Sequence, residues 1–170
     1  MNFAKINDIS IHFNYINNGV NKPTVVFSNS LGTDFRIWES CVENLSNDYS
    51  ILTYDKRGHG LSGLGNSPYV IHDHVADLID LMDHLKISEA VLVGLSVGGL
   101  IVQGVYHKRP DLVQGLILCD TAAKIGNEQM WNDRIAIARE GGLEALLEGN
   151  MQRWFSPNFH KNRQVDLRGY

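Results

Sequence analysis

Residues 90–107 read AVLVGLSVGGLIVQGVYH, and the architecture turns on them. It opens on Ala90–Val93, an uncharged and partly β-branched run of the kind that forms a buried strand. Gly94-Leu95-Ser96-Val97-Gly98 follows without a linker and matches G-x-S-x-G. From Val97 to His107 the residues suit a helix, which Pro110 stops. A serine between a strand and a helix must occupy a sharp, strained turn, and small residues two places before and after it leave room for that turn. Ser96 is therefore the candidate nucleophile. The Val97 N–H, at the start of the helix, can point at a developing oxyanion and is helped by the helix dipole. The bland alternative is a glycine-rich connection with an incidental serine. The strand before it and the helix after it favour the nucleophile.

The same alternation continues on both sides of this stretch. Phe3–Ile6 and Ile9–Tyr15 read as short strands joined by an Asn7-Asp8 turn, and Asn17-Asn18-Gly19 marks another turn. Thr24–Ser28 (TVVFS) and Ser50–Tyr54 (SILTY) read as strands, and Val113–Cys119 (VQGLILC) as a further one. Phe35–Leu45 carries Trp38, Val42 and Leu45 at helical spacing behind a capping Asp34. Tyr69–Leu85 carries Val75, Leu78, Ile79, Met82 and Leu85, the stripe of a helix with one buried face. The order β-β-β-α-β-α-β-α-β implies an α/β fold, a mostly parallel sheet with helices on both faces. Beyond Thr121 no strand is expected. Met130–Glu140 and Leu143–Phe155 read as helices on either side of a Gly141-Gly142 break, which fits the start of a helical cap. The expected division is a core over residues 1–121 and a cap segment over 122–170.

The 170 residues suit one domain, and 15 Lys+Arg against 19 Asp+Glu, with no basic cluster, exclude a phosphate-binding surface for nucleic acid. Two cysteines, Cys41 and Cys119, make no disulfide framework. MNFAKINDIS has no secretory pattern, and the uncharged stretch 90–106 is too short and glycine-rich to span a bilayer. A cytoplasmic protein without a membrane partner is expected. The seven histidines are scattered, so no metal site is expected. Oligomeric state is open at this stage.

Two further loops bear on the chemistry. Ser28-Asn29-Ser30-Leu31-Gly32 follows the TVVFS strand. Asp55-Lys56-Arg57-Gly58-His59-Gly60-Leu61-Ser62 follows SILTY, where its glycines permit a tight turn. Gly58–Gly63 satisfies G-x-G-x-x-G, but Gly65, Asn66, Ser67 and Pro68 come next and no helix begins there, so a dinucleotide site is rejected. A Walker-A loop is rejected too, because Gly94–Leu100 has no Gly-Lys-Ser/Thr.

The G-x-S-x-G elbow, the D-x-R-G-H-G-x-S stretch and the loop after TVVFS, in this order and spacing, resemble the α/β-hydrolase superfamily. The string SNSLGTDFRIWE over 28–39 narrows the resemblance to the 3-oxoadipate enol-lactonases. TAAKIG over 121–126, MWN over 130–132 and RWFSP over 153–157 point the same way. The similarity runs from Ile6 to Tyr170. It implies an α/β-hydrolase fold, incomplete at the C-terminus, and opening of an enol-lactone to 3-oxoadipate in the breakdown of aromatic compounds. It implies no cofactor, and a small-molecule lactone as the partner. Aligned through Trp38, Asn29-Ser30 takes the His-Gly place of the superfamily, so Leu31 donates the second oxyanion amide beside Val97.

A serine needs a base, and the base an acid, in the chain order Ser, Asp/Glu, His. After Ser96 only His107 and His160 remain. His107 stands roughly 16 Å along the helix from the elbow, too far to reach it. By resemblance His160 has no triad role. Asp120, at the end of the LILC strand, is where some relatives place their acid, but it reads as a turn residue. The expectation is an N-terminal part of such an enzyme, inactive alone, with an unpaired apolar edge at Val113–Cys119. For the substrate carboxylate, Trp131 with Arg134 is the candidate pair. Arg153 with Trp154 competes, as does the view that both arginines are solvated and both tryptophans core. Arg57 and His59 read as loop-fixing, and His72, His74 and His84 as surface residues. A generic carboxylesterase, C–C hydrolase or perhydrolase is the nearest competing function, and a non-catalytic binding protein the competitor from another class. Serine at position 96 argues against a dehalogenase.

Overall fold

A computed structural model describes residues 2–19 and 21–167. The closing Arg168-Gly169-Tyr170 of the similarity and of the cap segment lies outside the described residues. Six strands form one sheet: β1 (Asn2–Ile6), β2 (Ile9–Ile16), β3 (Thr24–Ser28), β4 (Ser50–Tyr54), β5 (Ala90–Leu95) and β6 (Val113–Cys119). Their order is β1-β2-β4-β3-β5-β6. The β1–β2 and β2–β4 pairings are antiparallel, and β3–β4, β3–β5 and β5–β6 are parallel.

Alternation along the strands sorts the core into two layers. On one face Val26, Leu52 and Leu92 pack with Leu78 and Met82 of α2 (Ile71–His84) and Ile101 and Val105 of α3 (Val97–Lys108). On the other, Val25, Phe27, Ile51 and Val93 pack with Trp38, and Val42 and Leu45 of α1 (Glu39–Leu45) join them. Period-2 side chains on buried parallel strands feed both faces, as continuous apolar runs require. The Trp38 ring lies 4.8 Å from the Phe27 ring.

The helices start and stop where local chemistry dictates. Asp34 accepts the Arg36 N–H, but the first turn after it is 3₁₀, over Phe35–Trp38, and α1 proper begins at Glu39. The expected single helix over 35–45 is thus two pieces, and the Phe35 N–H, which no helix of its own could satisfy, donates to the Asp55 carboxylate. In α2, Asp73 accepts the Val70 N–H at 2.7 Å and closes the first turn.

The chain divides after Ile125 into two compact units. The sequence pattern alone puts the division at 121. Thr121 Oγ1 donates to the Ser96 carbonyl at 2.7 Å and Gln103 reaches the Ala122 carbonyl, which ties these residues to the first unit. The second unit is helical among its described residues: α4 (Glu128–Gly141), a 3₁₀ turn over Leu143–Leu146, α5 (Leu147–Trp154), α6 (Pro157–Asn162) and α7 (Gln164–Leu167). Asn127 caps α4 and Ser156 caps α6. The last two helices are too short to show a periodic stripe, so no sequence pattern marks them.

Among the described residues β6 is an edge of the sheet, and Ile117 and Leu118 are about half exposed there. Apolar edges of this kind invite pairing with another chain. The 170-residue chain is expected to self-associate as its concentration rises, and Ile117→Lys to lower the average mass measured by sedimentation. Equal masses for the two would count against an edge-driven association.

Candidate active site

Ser96 sits between β5 and α3 with φ 55° and ψ −117°, a left-handed conformation that a residue with a Cβ rarely adopts. Its strain is held from three sides. The Ser96 N–H donates to the Cys119 carbonyl at 3.0 Å, the Gly99 N–H donates to the Ser96 carbonyl at 2.9 Å, and Thr121 Oγ1 donates to that same carbonyl. The glycines supply room rather than flexibility. A Cβ on Gly94 would stand 2.6 Å from Gly99 backbone, and one on Gly98 would overlap the Ser28 carbonyl. The serine side chain is half-buried. Its hydroxyl makes no hydrogen bond to any described residue.

Two backbone donors belong to this region. Val97 is the first residue of α3, so its N–H precedes the helix's own acceptors. Leu31 lies in the loop after β3, exposed at 38 %, between buried Ser30 and Gly32, whose φ is 79°. Asn29 pins this loop. Its Nδ2 donates to Thr33 Oγ1 at 3.3 Å and to the Thr33 carbonyl. Asn29 is fully buried, and its Oδ1 has no partner among the described residues.

The Asp55–Ser62 loop is wired into the core. The Asp55 carboxylate accepts Phe35 N–H at 2.9 Å and Leu61 N–H at 3.0 Å, and pairs with His12 Nδ1 at 2.7 Å. The His12 ring lies between those of Phe3 and Phe35, with centroids 4.9 and 4.8 Å away. Nothing in a lone strand histidine such as His12 signals a carboxylate 43 residues away. Arg57 is buried and grips Asp77 through Nε at 2.6 Å and Nη2 at 2.7 Å. This hydrogen-bonded pairing raises the guanidinium pKa above its ordinary value. His59 Nδ1 meets the Arg57 carbonyl at 3.0 Å. Burial first, and the Lys56 charge second, push His59 down to about 4. Both residues hold the loop.

His74 departs from the surface position expected of it. Its ring stands edge-on to Tyr69 at 5.5 Å, its Nδ1 is buried without a described partner, and burial lowers it to about 4. His72, His84 and His107 are exposed, and His107 sits in the last turn of α3. Asp120 has φ 41° and is exposed just past β6.

In the second unit the Arg134 guanidinium lies over the Trp131 ring at 5.9 Å and donates to Asn150 Oδ1 at 3.3 Å. Burial, then Arg153, lowers its pKa. Arg153 donates to the same oxygen at 3.1 Å, so the two competing arginines share one acceptor. His160 Nε2 is engaged with the Met151 carbonyl at 3.0 Å.

A cavity of about 690 Å³ opens against β2 and β4, between His12, Phe35, Arg36, Asp55 and Leu61. Ser96, Leu31 and Val97 do not line it. No group of three or more His, Cys, Asp or Glu among the described residues is arranged to hold a metal ion. No described helix is long and apolar enough to cross a membrane.

A mostly parallel sheet that delivers a left-handed serine to the start of a helix fits the α/β-hydrolase class. The model of the α/β hydrolase fold matches residues 23–164, and the chain belongs to that family. It is similar to 3-oxoadipate enol-lactonase 2 of Acinetobacter baylyi, 38 % identical over 150 residues, covering 88 % of this chain and 56 % of that protein. It is similar also to 3-oxoadipate enol-lactonase 1 of the same organism, 36 % identical over 86 % of this chain and 55 % of the relative. Among solved structures, the enol-lactonase from Burkholderia xenovorans LB400 superposes with a TM-score of 0.93 at 37 % identity, over 98 % of this chain and 65 % of that one. The chain thus spans a little over half the length of the curated relatives it matches.

Proposed function

We propose that these residues form the nucleophile-bearing part of an ester or lactone hydrolase acting in the cytoplasm on an enol-lactone of the 3-oxoadipate type, in aromatic-compound breakdown. The left-handed Ser96 at the start of α3 is the observation that carries this reading. Ser96 Oγ attacks the lactone carbonyl, and the Leu31 and Val97 N–H groups receive the oxyanion. Collapse breaks the ring C–O bond; the enolate oxygen, still tethered through the carbon chain, takes up the proton removed from Ser96 and tautomerises to the ketone, and water then hydrolyses the acyl-enzyme to release 3-oxoadipate and restore the serine. Trp131 and Arg134 are proposed to receive the ring and the free carboxylate.

The serine proton needs a base. No described histidine is bonded to the Ser96 hydroxyl, His160 is engaged within its own unit, and His107 is at the far end of α3. The 170-residue chain is therefore expected to hydrolyse 3-oxoadipate enol-lactone far more slowly than a complete relative. The excess over water should fall to background in Ser96→Ala, measured by loss of the enol-lactone absorbance. An excess unchanged in Ser96→Ala would defeat the reading. The unpartnered hydroxyl also favours a second reading, a binding protein on a hydrolase scaffold. Complete silence of Ser96 towards an alkyl fluorophosphonate, with retained lactone binding, would select it.

A further inference from the structure

Lys56 is the residue whose position the chemistry above does not use. It stands between Asp55 and Arg57 in a glycine-rich loop, yet it is 1 % exposed. Lysines are almost never buried so completely without a partner. Its Nζ donates to the Ser30 carbonyl at 2.9 Å, and Thr33 Oγ1 donates to the same oxygen at 3.0 Å.

The identity of that carbonyl matters. The Ser30 C=O and the Leu31 N–H belong to one peptide unit, which is planar and trans, so the two bonds point in opposite directions. Whatever fixes the oxygen fixes the hydrogen. We infer that Lys56 is a positioning residue for the Leu31 amide: by holding the Ser30 carbonyl from inside the core, it locks the Ser30–Leu31 peptide in one orientation and so aims the Leu31 N–H. This rests on Leu31 being an oxyanion donor. A donor on the carbonyl also polarises the peptide and strengthens its N–H as a donor in turn.

The surrounding charges fit a cation held for a purpose rather than stranded. Asp55 and Asp34 favour the ammonium and partly offset burial, which dominates and brings Lys56 down to about 7. The other titratable groups facing it, His59 and His74, are both pushed down to about 4 and are neutral well before Lys56 titrates.

The test uses the 170-residue chain with ¹⁵N-leucine and ¹³C-carbonyl serine, which marks the Ser30–Leu31 peptide. In the wild type the Leu31 ¹⁵N shift should step with a midpoint near pH 7, following the ammonium. In Lys56→Met, similar in length and free of buried charge, the step should vanish and the Leu31 resonance broaden. The Leu52 amide of β4 and the Leu92 amide of β5, both core leucines, should hold their shifts in the same sample, which shows that the variant is folded. Thr33→Val removes the second donor and should broaden the Leu31 resonance while leaving the pH step in place. A step that persists in Lys56→Met, or a Leu31 resonance as sharp in both variants as in the wild type, overturns the inference. Phosphonylation of Ser96 by an alkyl fluorophosphonate separates this from the functional reading. Removing one oxyanion donor costs about 10²–10³ in rate, so a misaimed one should slow labelling by about tenfold or more. A loosened Leu31 with unchanged labelling keeps the clamp and removes Leu31 from the oxyanion site.

Discussion

Gly98→Ala is expected to destabilise the chain by about 3 kcal/mol or more, enough to unfold it or to displace the elbow. A Cβ at position 98 would overlap the Ser28 carbonyl oxygen and stand 2.6 Å from its carbon and 2.9 Å from the Asn29 carbonyl oxygen. These are backbone atoms at the end of β3, so no side chain can swing aside. Either α3 must lift from the sheet or β3 must shift, and both are anchored in the core through Ile101, Val105, Val25 and Phe27. The contrast is Gly115→Ala in β6, where a Cβ meets nothing within 4 Å and the change should stay within about 0.5 kcal/mol. Urea melts of the two variants give the comparison. Similar midpoints would mean that the close approach of α3 and β3 is not a constraint.

Asp77→Ala is expected to cost about 3–5 kcal/mol, because it leaves a guanidinium buried without its counter-charge. Asp77 and Arg57 expose 2 % and 6 % of their side chains, and the carboxylate accepts two Arg57 bonds and one from Asn7 Nδ2 at 2.9 Å. The remaining partner, Asp8, is 3.4 Å from Arg57 and half-exposed, too weak a substitute. Replacing both ends, Asp77→Leu with Arg57→Met, should recover most of the loss, since apolar replacements of a buried pair are often near neutral. Thermal unfolding of the single and double variants measures this. A double variant as unstable as the single would show that Arg57 holds the loop by more than this pair.

The part of the molecule legible in the sequence is the part governed by local pattern. Thr24–Ser28, Ser50–Tyr54 and Val113–Cys119 form strands over those residues because continuous β-branched and apolar runs have one good home, a covered sheet. The elbow was legible for the same reason: its glycines, strand and helix are neighbours in sequence. The wiring between distant segments was not. Nothing in the pattern of Asp55–Ser62 points from its lysine to a partner, and only the fold shows Lys56 reaching back 26 residues to Ser30. Asp77 did leave a trace. It is a charge on the buried face of α2, between Val75 and Leu78, and such a residue demands a partner. His74 was misplaced because a helix stripe says which face is buried but not which loop, here that of Tyr69, folds over the flank.

The end of β4 places an acid and a base side by side. Asp55 takes hold of the loop beyond β3 at Phe35, and Lys56 takes hold of it at Ser30. While Lys56 holds its proton the two grips carry opposite charge; above about pH 7 the basic one becomes a neutral amine that still donates. Both lie beneath the surface, where dissolved ions cannot reach to weaken them. Anchorage of this loop is therefore decoupled from ionic strength, and its neighbouring strand serves it as a keel.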